Sequence, residues 1–252
     1  MANVDRKFCI EKKLLLFERL LSDSGHDDVG LVKDIAKGFD FTGTLPSSHS
    51  FKQKFRPASM SCPELRRASD LGREALLKTI SSSGDKELDR LLYEATLTER
   101  EKGYLLGRID VNELFEGATL TKRFAVRQKN KVRPIDDYKA SMVNSSVVQS
   151  EGVTVHTIDH IAAMISVWFR LSESKAGSSL VAKCWDLSDA YKQVPLSDEA
   201  FELDSYLAVY DPISNEPHRL FEDLFGNMEG WSSPAQIDVV VLFRRFSLRV
   251  HL

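Results

Sequence analysis

Asp186 opens the densest run of chemically suggestive residues in the chain, Asp186-Leu187-Ser188-Asp189-Ala190-Tyr191-Lys192-Gln193-Val194-Pro195-Leu196. The residues before it, Leu180 to Leu187, read as a buried strand that delivers Asp186 at its C-terminal end, ahead of a tight turn. A carboxylate held in that way suits a hard cation. Mg2+ prefers oxygen ligands, takes few of them from protein, and fills its shell with water and phosphate. In two-metal phosphoryl transfer such a carboxylate bridges both ions. An Asp after a strand also caps the turn that follows it, and the residues taken alone leave both roles open. The three cysteines, Cys9, Cys62 and Cys184, are too widely spaced for a metal-ligand pattern and suggest a reducing, intracellular setting.

Charge supplies the second feature. Between Thr121 and Lys139 stand seven basic residues, Lys122, Arg123, Arg127, Lys129, Lys131, Arg133 and Lys139, against Asp136 and Asp137. The net charge of −3 does not advertise a nucleic-acid binder, yet a local basic stripe can hold phosphate on a mildly acidic protein. The alternative is a solvated strand-and-turn surface in which Arg133 pairs with Asp136 or Asp137.

The elements that must position these residues change character along the chain. Apolar spacing predicts a helix over Lys7 to Leu21. The stretch 38–60, rich in Ser, Thr, Pro and Phe, reads as an irregular linker. Ser61 and Glu64 have capping-box spacing and Pro63 suits a first turn, which opens a helix through Ile80. Asp85 to Lys102 is a second helix, ended by Gly103. Then come two short strands around the Lys129-Asn130 turn, Phe124 to Arg127 and Lys131 to Ile135. A helix follows over Thr157 to Leu171, then the strand Leu180 to Leu187, a hairpin of Tyr206 to Tyr210 with His218 to Phe221, and a last helix from Ser233. Helices first and an α/β part second give an α+β class rather than a βαβ repeat.

The Asp186 segment resembles motif A of reverse transcriptases: an aspartate, an aliphatic residue, two variable positions, Ala, an aromatic, then Val/Ile-Pro-Leu. Asp186, Leu187, Ala190, Tyr191, Val194, Pro195 and Leu196 match it position by position. Two further segments match in the family's order. Arg133-Pro134-Ile135-Asp136-Asp137-Tyr138, with Asn144 beyond, is similar to the fingers motif. Leu224-Phe225-Gly226 through Ser233-Pro234-Ala235-Gln236 is similar to the Phe-Gly and Ser-Pro-Ala motif, although Leu224 stands for the usual Pro and Asn227 to Trp231 are additional. The three motifs cover Phe124 to Phe243, in the manner of retroelement reading frames of protist genomes.

The resemblance implies a partial right-hand polymerase, with fingers and an incomplete palm built on an antiparallel sheet and preceded by a helical region. Residues 1–117 would be the helical part, including the linker 38–60, and residues 118–252 the fingers and palm portion. It implies RNA-directed DNA synthesis with Mg2+ (or Mn2+). Asp186 would be the catalytic metal ligand and Leu187 would add its backbone carbonyl. Arg133, with Lys129 or Lys131, would grip the triphosphate, and the amides of Asp189 and Ala190 would contact phosphate. Tyr191 would stack under the sugar and favour deoxynucleotides. Gly226, Ser233, Pro234 and Gln236 would line the template and nucleotide pocket. The implied partners are an RNA or DNA template-primer, deoxynucleotides and the rest of a retroelement polyprotein.

Nothing similar to the family's second acidic motif, an aromatic, any residue, then Asp-Asp, lies between Pro234 and Leu252. The pairs Asp27-Asp28 and Asp136-Asp137 precede motif A and stand in the wrong order. One carboxylate does not easily hold two ions, so the chain reads as a fragment without activity of its own, or as a degenerate, non-catalytic nucleic-acid-binding protein. The expected strand Leu180 to Leu187 would then lack one neighbour and form an apolar edge.

The 252 residues are 42% hydrophobic and 28% charged, enough for one large or two small domains of ordinary globular composition. There is no apolar run of about eighteen residues for a membrane span, and the polar start, Met1 to Arg6, does not read as a secretory leader.

Overall fold

The structure is a computed structural model that describes residues 14–25, 28, 30–44, 47, 51–129, 131–152, 157–172, 192, 195–214 and 216–223. Its helices are α1 (Leu14–Ser24), α2 (Leu31–Lys37), α3 (Cys62–Lys78), α4 (Lys86–Glu101), α5 (Ile158–Ser172) and α6 (Asp198–Asp204). Its strands are β1 (Gly43–Thr44), β2 (Lys52–Arg56), β3 (Leu105–Ile109), β4 (Leu120–Gln128), β5 (Lys131–Asp136), β6 (Val147–Gly152), β7 (Tyr206–Asp211) and β8 (Glu216–Asp223). The fold is mixed α+β, with six α-helices and two mixed sheets among the described residues.

The larger sheet has the order β3-β8-β7-β4-β5. Helices cover both of its faces. Leu76, Leu77 and Ile80, at the end of α3 and just beyond it, pack on Leu120, Tyr206, Ala208 and Leu220. Leu92, Tyr93 and Leu97 of α4 pack on Leu105, Leu207, Val209 and Phe221. Tyr206 and Ala208 therefore face one layer and Leu207 and Val209 the other, the alternation a strand buried on both sides requires. Both helices start where the sequence predicts. Ser61 accepts from the Glu64 amide while the Glu64 carboxylate takes the Ser61 amide at 2.8 Å, with Pro63 in the first turn. Asp85 accepts from the amides of Glu87 and Leu88, each at 3.0 Å. Such caps satisfy donors that a helix start leaves open.

The sheet differs from the expected antiparallel one. β4 runs parallel to β7, with Leu120 opposite Tyr206 and Lys122 opposite Ala208. The other pairs, β3–β8, β7–β8 and β4–β5, are antiparallel. Parallel neighbours need a long crossover, and here it passes through β5, β6, α5 and α6. The sheet also draws β3 from before residue 117 and four strands from after it.

The stretch 38–60, expected to be irregular, carries β1 and β2. They flank β6 in a small sheet of order β1-β6-β2, parallel on one side and antiparallel on the other. All five residues of β2 are exposed, so no apolar alternation marked it in the sequence. The expected N-terminal helix is described from Leu14 and runs on to Ser24. α5 matches its prediction within a residue, and Ile158, Met164, Val167 and Phe169 on it are more than half exposed. No helix among the described residues is long and apolar enough to cross a membrane.

A third core joins the N-terminal helices to the end of the motif A segment. Leu21, Leu31, Val32, Ile35, Phe39 and Phe41 pack with Tyr138, Val143, Val147, Leu196 and Ala200. The backbone locks this junction: the Phe39 amide donates to the Pro195 carbonyl at 2.9 Å and the Ser197 amide returns to Phe39 at 3.0 Å. Gly38 makes the approach possible. It sits at φ 89, and a Cβ there would overlap the Leu196 carbonyl. Gly38→Ala is expected to lower stability by about 2–4 kcal/mol, since it combines an unfavourable φ with a backbone collision. Urea unfolding checks this; a loss below about 0.5 kcal/mol would mean the junction is not tight.

Candidate functional site

The basic stripe lies on the β4–β5 hairpin, whose turn passes through Lys129 in the left-handed region at φ 55. Its register sets Arg123 opposite Asp136, Phe124 opposite Ile135, Val126 opposite Arg133 and Gln128 opposite Lys131. Directly opposed residues share a face and successive residues alternate. Arg123 and Asp136 thus point to one side, towards α4, and Arg133 points to the other, beside Val126.

Arg123 is the centre of a buried charge cluster. Its Nε donates to Asp136 Oδ1 at 2.7 Å and its Nη2 to Asp136 Oδ2 at 3.0 Å, a two-pronged pair between side chains with no solvent exposure. Its Nη1 donates to Glu99 Oε2 at 2.8 Å and to Thr96 Oγ1 at 3.4 Å, both on α4. Lys192 joins from the motif A segment, with Nζ 3.5 Å from the same Glu99 oxygen. Two cations and two carboxylates balance, and the planar guanidinium fork matches the carboxylate edge. Asp136 is therefore a partner of Arg123. Asp137 is also engaged locally: its carboxylate takes the Ala140 amide at 2.9 Å.

The remaining basic residues divide by surroundings. Arg127 Nη2 reaches Asp85 at 2.7 Å and Glu87 at 3.6 Å on an exposed surface. The Arg127 hydrogen bond, with the Leu88 amide, holds the Asp85 carboxyl below its ordinary range, and Asp85 in turn holds the Arg127 guanidinium above its own. Lys122 Nζ donates to the Thr79 carbonyl at 2.8 Å. Lys129, Lys131, Arg133 and Lys139 are exposed. Lys129 and Lys131 line an open groove of about 520 Å³ with Arg127, Val132 and the α4 residues Glu87, Leu91 and Glu94. Of the triphosphate residues that the resemblance implies, the two lysines stand at the hairpin tip and Arg133 two residues along β5.

Tyr138 of the fingers motif is buried, edge to face with Phe41 at 5.4 Å between ring centres. It works as a packing residue that ties the hairpin to the N-terminal core. Asn144 belongs to the short 3-10 turn Val143–Ser145, its amide bonded to the Tyr138 carbonyl at 3.2 Å.

Asp186, Leu187, Asp189, Ala190 and Tyr191 lie outside the described residues, as do Gly226, Ser233, Pro234, Gln236 and the strand Leu180 to Leu187. Lys192, Pro195 and Leu196, which follow directly on the motif A aspartate segment, are described and buried. Among the described residues no group of three His, Cys, Asp or Glu side chains could hold a metal ion.

Sequence reasoning missed Lys192, Glu99 and Thr96. Their partners lie 24 to 93 positions away in the chain, so charge along the sequence carried no sign of the cluster. Removing Arg123 leaves the buried Asp136 carboxylate without its cation and takes one of two cations from Glu99. Arg123→Ala is expected to cost about 3–5 kcal/mol, whereas exposed Lys131→Ala should stay within about 0.5 kcal/mol. Paired chemical denaturation curves check the contrast; equal losses would contradict the division of the stripe. No protein-family model matches the chain, and no curated protein does, so its function has to be argued from its own residues.

Proposed function

We propose that the chain is a reverse-transcriptase-like protein, the fingers and palm portion of a right-hand polymerase, that binds a deoxynucleoside triphosphate for template-directed DNA synthesis. The observation that carries this reading is the separation of two arginines on one hairpin. Arg123 is consumed by Asp136 and Glu99 inside the protein, while Arg133, the residue that matches the fingers motif, is exposed on the opposite face. Strand alternation produces that division, and it leaves Arg133 on the side where a phosphate can reach it. The order of the three motifs along the chain supports the same reading.

In this account Arg133 binds triphosphate oxygens with its donor fork, assisted by Lys129 or Lys131. The amides of Asp189 and Ala190 would contact phosphate, and Tyr191 would stack under the sugar, as the resemblance implies. The reaction of the family it resembles is attack of a primer 3′-hydroxyl on the α-phosphate, with pyrophosphate leaving, and nucleotide binding is the part of it proposed for these residues. The Asp186 carboxylate and the Leu187 carbonyl would be the oxygen donors for Mg2+ or Mn2+, and the ion, when bound, would supply positive charge to the phosphates. Gly226, Ser233, Pro234 and Gln236 would border the template side, as the resemblance implies.

A second reading, nucleic-acid binding without catalysis, draws on the same exposed tip. Lys129, Lys131, Arg133 and Lys139 can follow a phosphate backbone with no metal at all.

Fluorescence anisotropy with labelled dATP separates the two. The polymerase reading expects Mg2+-dependent binding that weakens about tenfold or more in Arg133→Ala, given about 1.5–3 kcal/mol for hydrogen bonds to charged groups. It also expects the Mg2+ dependence to disappear in Asp186→Asn. Salt-sensitive binding of single strands with no nucleotide binding would favour the second reading and remove the first.

A further inference from the structure

β2 is an end strand of the smaller sheet, in the order β1-β6-β2, so one of its edges pairs with β6 and the other is free. Its sequence, Lys52-Gln53-Lys54-Phe55-Arg56, carries three cations and one aromatic, and all five residues are exposed. Phe55 is 74% exposed.

These cations have no counter-charge. No Asp or Glu stands between Asp40 and Glu64 in the chain. Among the described residues, Lys52, Lys54 and Arg56 take part in no ion pair. Glu151, opposite Gln53 on β6, is 1% exposed and accepts from Ser47 Oγ, so it does not present its charge at this surface.

The pairing with β6 is interrupted within β2. Gln53 lies opposite Glu151 and Arg56 opposite Gln149, so Lys54 and Phe55 together stand against Ser150 alone. Such a bulge disrupts the ladder, bends the strand and re-aims side chains. Lys54 is laid across the backbone at Gly152: a methyl group there would lie 2.9 Å from its Cδ and 3.1 Å from its Cβ.

Lysines and a bulge on an end strand discourage a further β-strand from pairing there, and that role needs no exposed ring. A ring among uncompensated cations matches a different partner. Proteins that hold single-stranded nucleic acid combine a positive track for the phosphates with aromatic rings on which bases stack. A duplex keeps its bases inside the stack and offers Phe55 no open face. An anionic lipid surface is recognised by clusters of about four to eight basic residues, more than β2 carries. We propose that β2 is a docking strip for single-stranded nucleic acid: Phe55 stacks on an unpaired base, and Lys52, Lys54 and Arg56 hold the phosphates beside it. Neither contact reads the 2′-hydroxyl, so RNA and DNA strands serve alike. The strip belongs to a different sheet from the β4–β5 tip and does not rest on the nucleotide-binding reading, and either can fail without the other.

Fluorescence anisotropy of the full chain with labelled oligothymidylate and oligouridylate of about twelve nucleotides, within the site sizes of such strips, is the test. Both should bind, and Phe55→Ala should weaken each about tenfold, the scale of one stacked base. Phe55→Trp should retain binding, and a blunt duplex should be indifferent to either change. Replacing Lys52, Lys54 and Arg56 together by Ala should flatten the slope of log K against log salt by about 2, at about 0.7 per contact on a single strand. All four positions are exposed, so the variants should keep the Tm of the parent chain. With Lys129, Lys131 and Arg133 already changed to Ala, Phe55→Ala should still weaken binding about tenfold, which separates the strip from the hairpin tip. Absence of binding, binding untouched by Phe55→Ala, an unchanged salt slope or an equal loss on the duplex would overturn the proposal. So would Phe55-dependent binding to phosphatidylserine vesicles without binding to the oligonucleotides.

Discussion

The arrangement depends most on one constraint, the burial of the Arg123 guanidinium between the β4–β5 hairpin and α4. A charge with no solvent exposure must be met by opposite charge and by hydrogen bonds. Asp136 supplies two hydrogen bonds from the neighbouring strand, and Glu99 and Thr96 supply one each from the helix. That demand fixes which face of the hairpin turns inward, because a slip of one residue in either strand would carry the whole set to the other side. It also fixes what is left outside. With Asp136 inward, Arg133 is outward. Lys192 brings the downstream end of the motif A segment to the same cluster through Glu99.

Two other junctions complete the frame. The Phe39 strand bridge holds Leu196 against the N-terminal core, and the Arg66–Asp204 pair, at 2.5 Å with Asp204 almost fully buried, ties α3 to the end of α6. Desolvation works against the Arg66 charge, but the Asp204 carboxylate outweighs it and leaves the guanidinium above its ordinary range. Segments distant in sequence thus meet around the residues that flank motif A on its C-terminal side.

Local chemistry was legible in the sequence, and pairing across distance was not. Ser61, Glu64 and Pro63 announced α3, Asp85 announced α4, and Lys129 fell in the turn of the hairpin, since caps and turns are written within four residues. β2 carried no signal because its residues are exposed and it is ordered by pairing with β6, far away in the sequence. The parallel β4–β7 contact joins residues more than eighty positions apart, so it could not be read from alternation within either strand. The basic stripe was visible as composition, but its division into a buried Arg123, a capping-associated Arg127 and an exposed tip required knowing where Asp136, Glu99 and Asp85 stand.

The central functional claim is that the outward tip of the hairpin and the motif A aspartate serve one nucleotide. Photo-crosslinking with dATP carrying an aryl azide on its γ-phosphate, mapped by mass spectrometry, tests it most directly. The account predicts Mg2+-dependent labelling of the 129–133 segment, competed by unlabelled dATP and lost in Asp186→Asn. Labelling confined to other parts of the chain, or labelling of the tip indifferent to Mg2+ and to Asp186→Asn, would contradict it.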